Sequence, residues 1–117
     1  MARIVQDKIC FSFHETAGSK RTEGFPIYAI TPLGIKRIGK TRKRAFCLQL
    51  PENTICVIRY YESNKGYITL YVYYREGEHT KMVRVYETTD FQIPPVPEEV
   101  RDAIRNFIFN YLGIPEG

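Results

Sequence analysis

Alternation of apolar and polar residues recurs along most of this chain, and it predicts a protein built mainly of β-strands. Within residues 2–14, Ile9, Phe11 and Phe13 stand at every second position and indicate a strand. Further strand-like runs lie at residues 25–30, 45–50, 55–62, 67–75 and 80–87. Proline, glycine or polar residues that favour turns separate these runs. About six strands are therefore expected.

The last three strand-like runs are separated by short polar links, which predict an antiparallel meander. Gly66 in the first link supplies the left-handed residue that a three-residue hairpin loop requires. A loop of that length pairs Ile58 with Val72, and a four-residue second link at residues 76–79 places Val83 opposite Val72. This register puts aliphatic side chains on one face of the meander and tyrosines and arginines on the other.

A helix is predicted to begin at Pro97, because proline lacks only an N–H that the first helical turn leaves unpaired. Apolar residues recur from Val100 to Leu112 with a period of about 3.6 residues, and Gly113 supplies the stop. The predicted class is therefore α+β. We expect a single domain over residues 1–117, with an antiparallel sheet and one C-terminal helix packed on the aliphatic face of the meander.

The chain has 117 residues, of which 44% are apolar and 26% are charged. That length and composition suit one globular domain and exclude a disordered tail. Lys and Arg total 17 against 13 Asp and Glu, a net charge of +4. The charge is uneven, since residues 1–60 carry 11 basic and 4 acidic side chains while residues 61–117 carry 6 and 9. The asymmetry is more informative than the total.

The main positive feature, here called the basic run, extends over residues 36–44 and is expected to be a loop or ribbon. No acidic residue occurs between Glu23 and Glu52, so no nearby carboxylate in the sequence offsets it. Lysines and arginines at this density can follow a phosphate backbone, where each contact releases counterions. The alternatives are a solvated basic strand pair or a patch for an acidic protein partner. The candidate contacts are Lys36, Arg37, Lys40, Arg42, Lys43 and Arg44.

The second feature is the face of the meander opposite its aliphatic face, here called the tyrosine–arginine face. Tyrosine rings and guanidinium planes on a sheet can stack with unpaired bases. The candidate residues on this face are Arg59, Tyr61, Tyr67, Tyr71, Tyr73, Arg75, Arg84 and Tyr86. The alternative interpretation is that tyrosine is simply favoured on strands, and that residues 1–30 or a second subunit cover this face.

Residues for catalysis or metal binding show no recognisable arrangement. The two histidines, His14 and His79, belong to no triad and have no metal-ligand spacing. The segment from Gly34 to Thr41 matches the G-x-x-x-x-G-K-T form of a nucleotide-binding P-loop, but strand-like residues follow it where a P-loop needs a helix. We interpret the match as coincidental and predict no enzyme activity, no cofactor and no metal.

Three cysteines, Cys10, Cys47 and Cys56, lie in strand-like runs and show no zinc-binding or C-x-x-C spacing. Their odd number favours reduced thiols, so a cytoplasmic protein is expected. Asp7 and Lys8 stand where a signal peptide needs apolar residues, and no run approaches the roughly 20 apolar residues that span a bilayer. Neither secretion nor membrane insertion is expected.

A lysine-glycine turn leads into a long aliphatic and aromatic strand at residues 65–76, with the sequence KGYITLYVYYRE. Pro97-Glu98-Glu99 then opens the helix. This arrangement resembles the PC4-type transcription coactivators and related Whirly-like single-stranded DNA-binding proteins over residues 54–110. The sequence departs from the family in two ways: Asn64 replaces the usual aromatic residue before the turn, and residues 1–50 have no counterpart.

The resemblance implies that the turn and the curved sheet hold single-stranded DNA, with contacts carried over to Lys65, Tyr67 and Tyr73. It also implies that the helix supports a homodimer. The composition, with frequent Tyr, Arg, Lys and Glu and little Gln, is in addition similar to that of small proteins from hyperthermophilic archaea or their viruses.

The expected function is non-enzymatic binding of nucleic acid, with single-stranded DNA or RNA favoured over duplex. The basic run and the tyrosine–arginine face would supply the contacts. The alternative is a protein-interaction or assembly module of archaeal or viral origin, in which the tyrosine–arginine face is a subunit interface and the basic run binds an acidic partner. The sequence is compatible with either a monomer or a homodimer as the oligomeric state.

Overall fold

A computed structural model describes residues 2–12 and 23–116. These residues form two antiparallel sheets and one C-terminal helix, so the predicted α+β class is confirmed. The elements are β1 (Arg3–Val5), β2 (Lys8–Phe11), β3 (Pro26–Thr31), β4 (Gly34–Lys40), β5 (Phe46–Gln49), β6 (Cys56–Glu62), β7 (Ile68–Glu76), β8 (His79–Tyr86) and α1 (Glu98–Asn106). A small sheet has the order β1-β2-β5, and a main sheet has the order β4-β3-β6-β7-β8.

The last three strands of the main sheet form the predicted meander in the predicted register. Ile58 pairs with Val72, and Val72 pairs with Val83. Gly66 has a φ of 86° in the first hairpin, which is the left-handed conformation that its position requires. The second hairpin has a two-residue turn at residues 77–78 where four residues were expected. The register is unchanged, because both strands simply extend by one further pair.

The helix covers the aliphatic face of the meander, as its apolar spacing predicts. It begins directly after Pro97, whose carbonyl accepts a hydrogen bond from the Arg101 amide at 2.9 Å. It continues as a π-helical segment at Phe107–Tyr111, and Gly113 follows its end with a φ of 72°. The buried side chains on its inner face are Val100, Ala103, Ile104, Phe107 and Ile108.

The N-terminal segment forms a hairpin where the alternation predicted one strand. β1 pairs with β2, and the chain reverses at Gln6, a non-glycine residue with a φ of 54°. β2 also pairs with β5, which lies far along the chain. The predicted extension of the first strand to residue 14 lies outside the described residues. In this hairpin, Ile9 and Phe11 of β2 lie on the same face of the strand and contribute to a second core.

This second core lies between the small sheet and the main sheet. Ile9 and Phe11 of β2 pack against Val57 and Tyr73 of the main sheet, and all four are buried. The rings of Phe11 and Tyr73 meet edge to face with their centroids 5.4 Å apart. The main sheet is therefore covered by the helix on one face and by the small sheet on part of the other.

The structure corrects the expectation of reduced thiols for two of the three cysteines. The β2–β5 register brings Cys10 opposite Cys47, and the two form a disulfide with their Cα atoms 4.0 Å apart. Such bonds occur in oxidising compartments and inside hyperthermophilic cells. Cys56 is buried, and its burial, with a further contribution from Glu99, raises the pKa of the thiol to about 12. The disulfide fixes β5, which among the described strands pairs only with β2.

Tyrosines on the helix side of the main sheet are expected to destabilise the fold in alkali. Burial, with a hydrogen bond to Glu62, raises the pKa of Tyr60 from 10.0 to about 12. Burial also raises the pKa of Tyr28 and of Tyr74. Above the ordinary tyrosine pKa the unfolded chain loses protons that the folded chain retains, so the free energy of unfolding falls as pH rises. Urea unfolding at about pH 8 and about pH 11 measures this, and equal stability at both would contradict it.

Candidate nucleic-acid interface

The small sheet covers one half of the tyrosine–arginine face. Tyr73 is 0% exposed and Arg59 is 5% exposed. The Arg59 Nε donates a hydrogen bond to the Tyr73 hydroxyl at 3.2 Å. Tyr73 is thus a core residue whose ring lies out of reach of a base, and Arg59 is engaged within the protein. For this half of the face, the N-terminal strands provide the cover that the alternative interpretation anticipated.

A row of three side chains marks the border of the covered half. Arg59, Tyr71 and Arg84 are cross-strand neighbours on β6, β7 and β8. The guanidinium carbons of Arg59 and Arg84 lie 3.9 Å and 5.6 Å from the centre of the Tyr71 ring. These cation–π contacts hold the ring between two positive charges. Tyr71 is half-buried while Arg84 is exposed, so Arg84 is the member of the row that faces solvent.

Beyond this row, towards the first hairpin of the meander, the face is open. Tyr67 is 50% exposed and Tyr86 is 39% exposed, while Tyr61 is half-buried. Lys65 is exposed in the hairpin loop beside them. Phe25, which the sequence analysis did not select, meets the Tyr61 ring edge to face at 5.2 Å between centroids. Four aromatic side chains therefore gather at this end of the main sheet.

Two glutamates near the same end accept hydrogen bonds from the protein itself. The Glu62 Oε1 accepts from the Tyr60 hydroxyl at 2.9 Å, and the Glu87 Oε1 accepts from the Ile68 amide at 2.8 Å. Glu62 ends β6 and Glu87 follows β8, so their charges reduce the positive potential on the β6–β8 side of this end. A polyanion would therefore be attracted mainly to the β3–β4 side.

The first half of the basic run is a strand where a loop or ribbon was expected. It belongs to β4, which is an edge strand of the main sheet. Ile35 packs into the core under the helix, and Ile38 packs into the core under the small sheet, which explains why the segment is extended. Lys36 and Arg37 are both exposed. Because they are consecutive in a strand, they lie on opposite faces of the main sheet.

The second half of the basic run clusters in the loop between β4 and β5. Arg42, Lys43 and Arg44 are exposed there and, together with Lys40 at the end of β4, line an open cleft. The Lys43 Nζ lies 3.8 Å from a carboxylate oxygen of Glu23. This ion pair is solvent-exposed and therefore weak. Four cations against one carboxylate leave the cleft strongly positive.

Buried Thr41 joins this cleft to the aromatic residues. Its carbonyl accepts from the Gly24 amide at 2.8 Å, and its amide donates to the Phe25 carbonyl at 2.9 Å. Its hydroxyl accepts from the Phe25 amide at 3.0 Å. Cations and rings thus share one end of the main sheet, which spans about 19 Å across five strands. We call this surface the end band, comprising Phe25, Lys40, Arg42, Lys43, Arg44, Tyr61, Lys65, Tyr67, Arg84 and Tyr86.

Arg75 is the sequence-predicted contact that lies farthest from the end band along its strand. It is exposed near the opposite end of β7, where it pairs with Thr80 of β8. The Thr80 hydroxyl accepts from the Ile4 amide of β1 at 2.9 Å. Arg75 therefore lies beside the N-terminal hairpin, and the structure does not bring it to the cations of the basic run.

Three other features, a P-loop, a metal site and a membrane-spanning helix, can be checked against the described residues. The P-loop-like segment ends in β4 and in Thr41, which is buried against Phe25 with no helix after it, so its context differs from that of a P-loop. Within residues 2–12 and 23–116, no three His, Cys, Asp or Glu side chains are grouped as a metal site. In the same part of the chain, no helix has the length and hydrophobicity to cross a membrane.

Comparison of the chain with protein-family models, with curated proteins and with solved structures found no match in any of the three. The resemblance to PC4-type and Whirly-like proteins therefore stays a prediction. The interpretation of the end band depends on its own geometry. Three hydrogen bonds connect the loop of exposed cations to the backbone at Gly24 and Phe25, and the half-buried Phe25 ring contacts the Tyr61 ring at the same end of the sheet.

Proposed function

We propose that the protein binds single-stranded nucleic acid along the end band. The observation that carries the proposal is the junction of Thr41 with Phe25, which puts four exposed cations at the same end of the main sheet as the aromatic side chains. Lysines and arginines attract phosphates whatever the base sequence. Aromatic rings stack on bases, at about 1–3 kcal/mol for each base. The two kinds of group together supply both parts of a sequence-tolerant binding site.

Unpaired bases are favoured over a duplex because of the way the rings are presented. Tyr67 and Tyr86 lie on the sheet surface near a hairpin, and the described part of the chain places no helix in this band that could enter a groove. A ring face reaches a base face only when the base is unstacked from its neighbours. The width of the end band, about 19 Å, suits a site of about 4 nucleotides, which is the lower end of the range for OB-fold domains.

Loss of the cations in the loop is expected to weaken binding and to flatten its salt dependence. Replacement of Arg42, Lys43 and Arg44 by alanine should lower the affinity for single-stranded DNA about tenfold or more. The slope of log K against log salt should fall by about 2, because each phosphate contact on a single strand contributes about 0.7. Fluorescence anisotropy of a labelled oligonucleotide between about 50 and 200 mM salt measures both quantities.

A second triple variant serves as the control for net charge. Lys8→Ala, Lys81→Ala and Arg101→Ala remove the same number of charges from exposed positions on the small sheet, β8 and α1. This variant should retain the affinity and the salt slope of the unaltered protein. If the two triple variants weaken binding equally, net charge and not the end band is responsible, and the proposed site is wrong.

A further inference from the structure

The end of the helical segment presents a supported aromatic ring outside the end band. Tyr111 is 49% exposed. One face of its ring stacks on Phe107, with centroids 5.1 Å apart and an interplanar angle of 17°. Its ring also meets Tyr28 edge to face at 5.0 Å. Phe107 is fully buried, so it holds one face of the Tyr111 ring against the core. About half of the Tyr111 residue surface remains exposed to solvent. A fixed and accessible ring of this kind can carry a stacked base.

A cation of the basic run lies beside Tyr28, which contacts this ring. Arg37 pairs with Tyr28 across β3 and β4, so the two residues are about 5 Å apart. Since Tyr28 contacts Tyr111, all three side chains belong to the helix-side face of the main sheet. The carboxylate of Glu116, five residues after Tyr111, lies 2.6 Å from the Arg105 guanidinium, which offsets its charge.

The edge strand β4 connects this position to the end band. Residues 36–40 of the basic run are part of β4, and residues 40 and 42–44 line the positive cleft. Among residues 2–12 and 23–116, β4 is the outermost strand of the main sheet, and no described strand of that sheet lies beside its outer edge. A polyanion could therefore pass around this edge from one face of the sheet to the other while remaining next to lysines and arginines.

We infer that Tyr111 is a second base-stacking position and that Arg37 contacts the phosphate beside it. The bound single strand then runs from the end band over the basic edge of β4 to the helix side. The inference rests on the proposed function and extends it, because it makes the ligand a strand longer than the end band alone accommodates. It also gives a role to Arg37, which the end band leaves out.

The inference is tested with oligothymidylates of about 4 and about 12 nucleotides, the shorter matching the end band alone. Tyr111→Leu removes the aromatic ring but keeps an apolar side chain against Phe107. It should weaken binding of the longer oligonucleotide about fivefold or more, with no change for the shorter one. Tyr111→Phe keeps the ring and should bind both as the unaltered protein does. Arg37→Ala should lower the salt slope by about 0.7 for the longer oligonucleotide only.

The outcomes separate this inference from the proposed function. If both oligonucleotides bind, and neither Tyr111→Leu nor Arg37→Ala affects the longer one, the second position is wrong while the end band stands. If neither oligonucleotide binds the unaltered protein, the proposed function fails and the inference fails with it. Circular dichroism of each variant checks the fold. Should Tyr111→Leu unfold, Arg37→Ala, on an exposed edge, still decides between these outcomes.

Discussion

Removal of the Cys10–Cys47 disulfide is expected to lower the free energy of unfolding by about 4 kcal/mol, because the bond closes a long loop in the unfolded chain. The two cysteines are 37 positions apart. The bond also holds β5, whose described pairing is with β2 alone. The double variant Cys10→Ser, Cys47→Ser should therefore unfold at lower urea concentration. Urea titration followed by circular dichroism measures the change.

Reducing agent provides the control for this prediction. It should destabilise the unaltered protein and leave the double variant unchanged, since Cys56 forms no disulfide. A thiol reagent should find one thiol after unfolding without reductant and all three cysteines after unfolding with reductant. Three reactive thiols without reductant, or equal stability of the two proteins, would contradict the disulfide.

Replacement of Tyr73 by alanine is expected to cost about 3–5 kcal/mol, because a large fully buried ring is lost from between the two sheets. The ring contacts Phe11, and its hydroxyl accepts from the buried Arg59. Tyr73→Phe keeps the packing and loses only the hydroxyl, so it should cost less, about 1–3 kcal/mol. It should leave nucleic-acid binding unchanged. Urea unfolding and anisotropy on the same samples report both properties.

Tyr67→Ala is the matched control on the same tyrosine–arginine face, directly before β7. Tyr67 is 50% exposed, so the substitution should change stability by no more than about 0.5 kcal/mol. It should instead weaken binding of single-stranded nucleic acid. Suppose that Tyr73→Ala leaves the free energy of unfolding unchanged and that Tyr73→Phe abolishes nucleic-acid binding. Tyr73 would then contact the ligand directly, and its assignment to the core would be wrong.

The meander and the helix could be predicted from the sequence because both depend on local patterns. Gly66 and the short second link determine which residues face each other, so the pairs Ile58–Val72 and Val72–Val83 follow from loop length. The helix follows from the period of its apolar residues. Local pattern determines an element well when its partner is adjacent in the chain.

The small sheet depends on contacts that local patterns do not encode. The turn at Gln6 contains neither glycine nor proline, so the alternation through residues 2–14 looks like one strand. The pairing of β2 with β5 is long-range. The disulfide follows from that pairing, because only the register places Cys10 opposite Cys47.

The candidate site could be predicted in composition but not in extent. Alternation assigned Tyr67 and Tyr73 to the same face, yet one is exposed and the other is covered by the small sheet. The cover over Tyr73 comes from the small sheet, whose residues are distant from Tyr73 in the sequence. Phe25 could have been found, because it continues the alternation of Ile27 and Ala29 on the strand beside Tyr61.

The central claim is that exposed rings and cations at one end of the main sheet bind unpaired bases. The most direct test is the anisotropy of labelled single-stranded DNA, single-stranded RNA and duplex DNA of equal length at about 50 and about 200 mM salt. The account predicts that a single-stranded species binds more tightly than the duplex, and that part of its affinity persists at the higher salt because stacking is uncharged. Equal binding of duplex and single strand, complete loss at the higher salt, or no binding at all would contradict it.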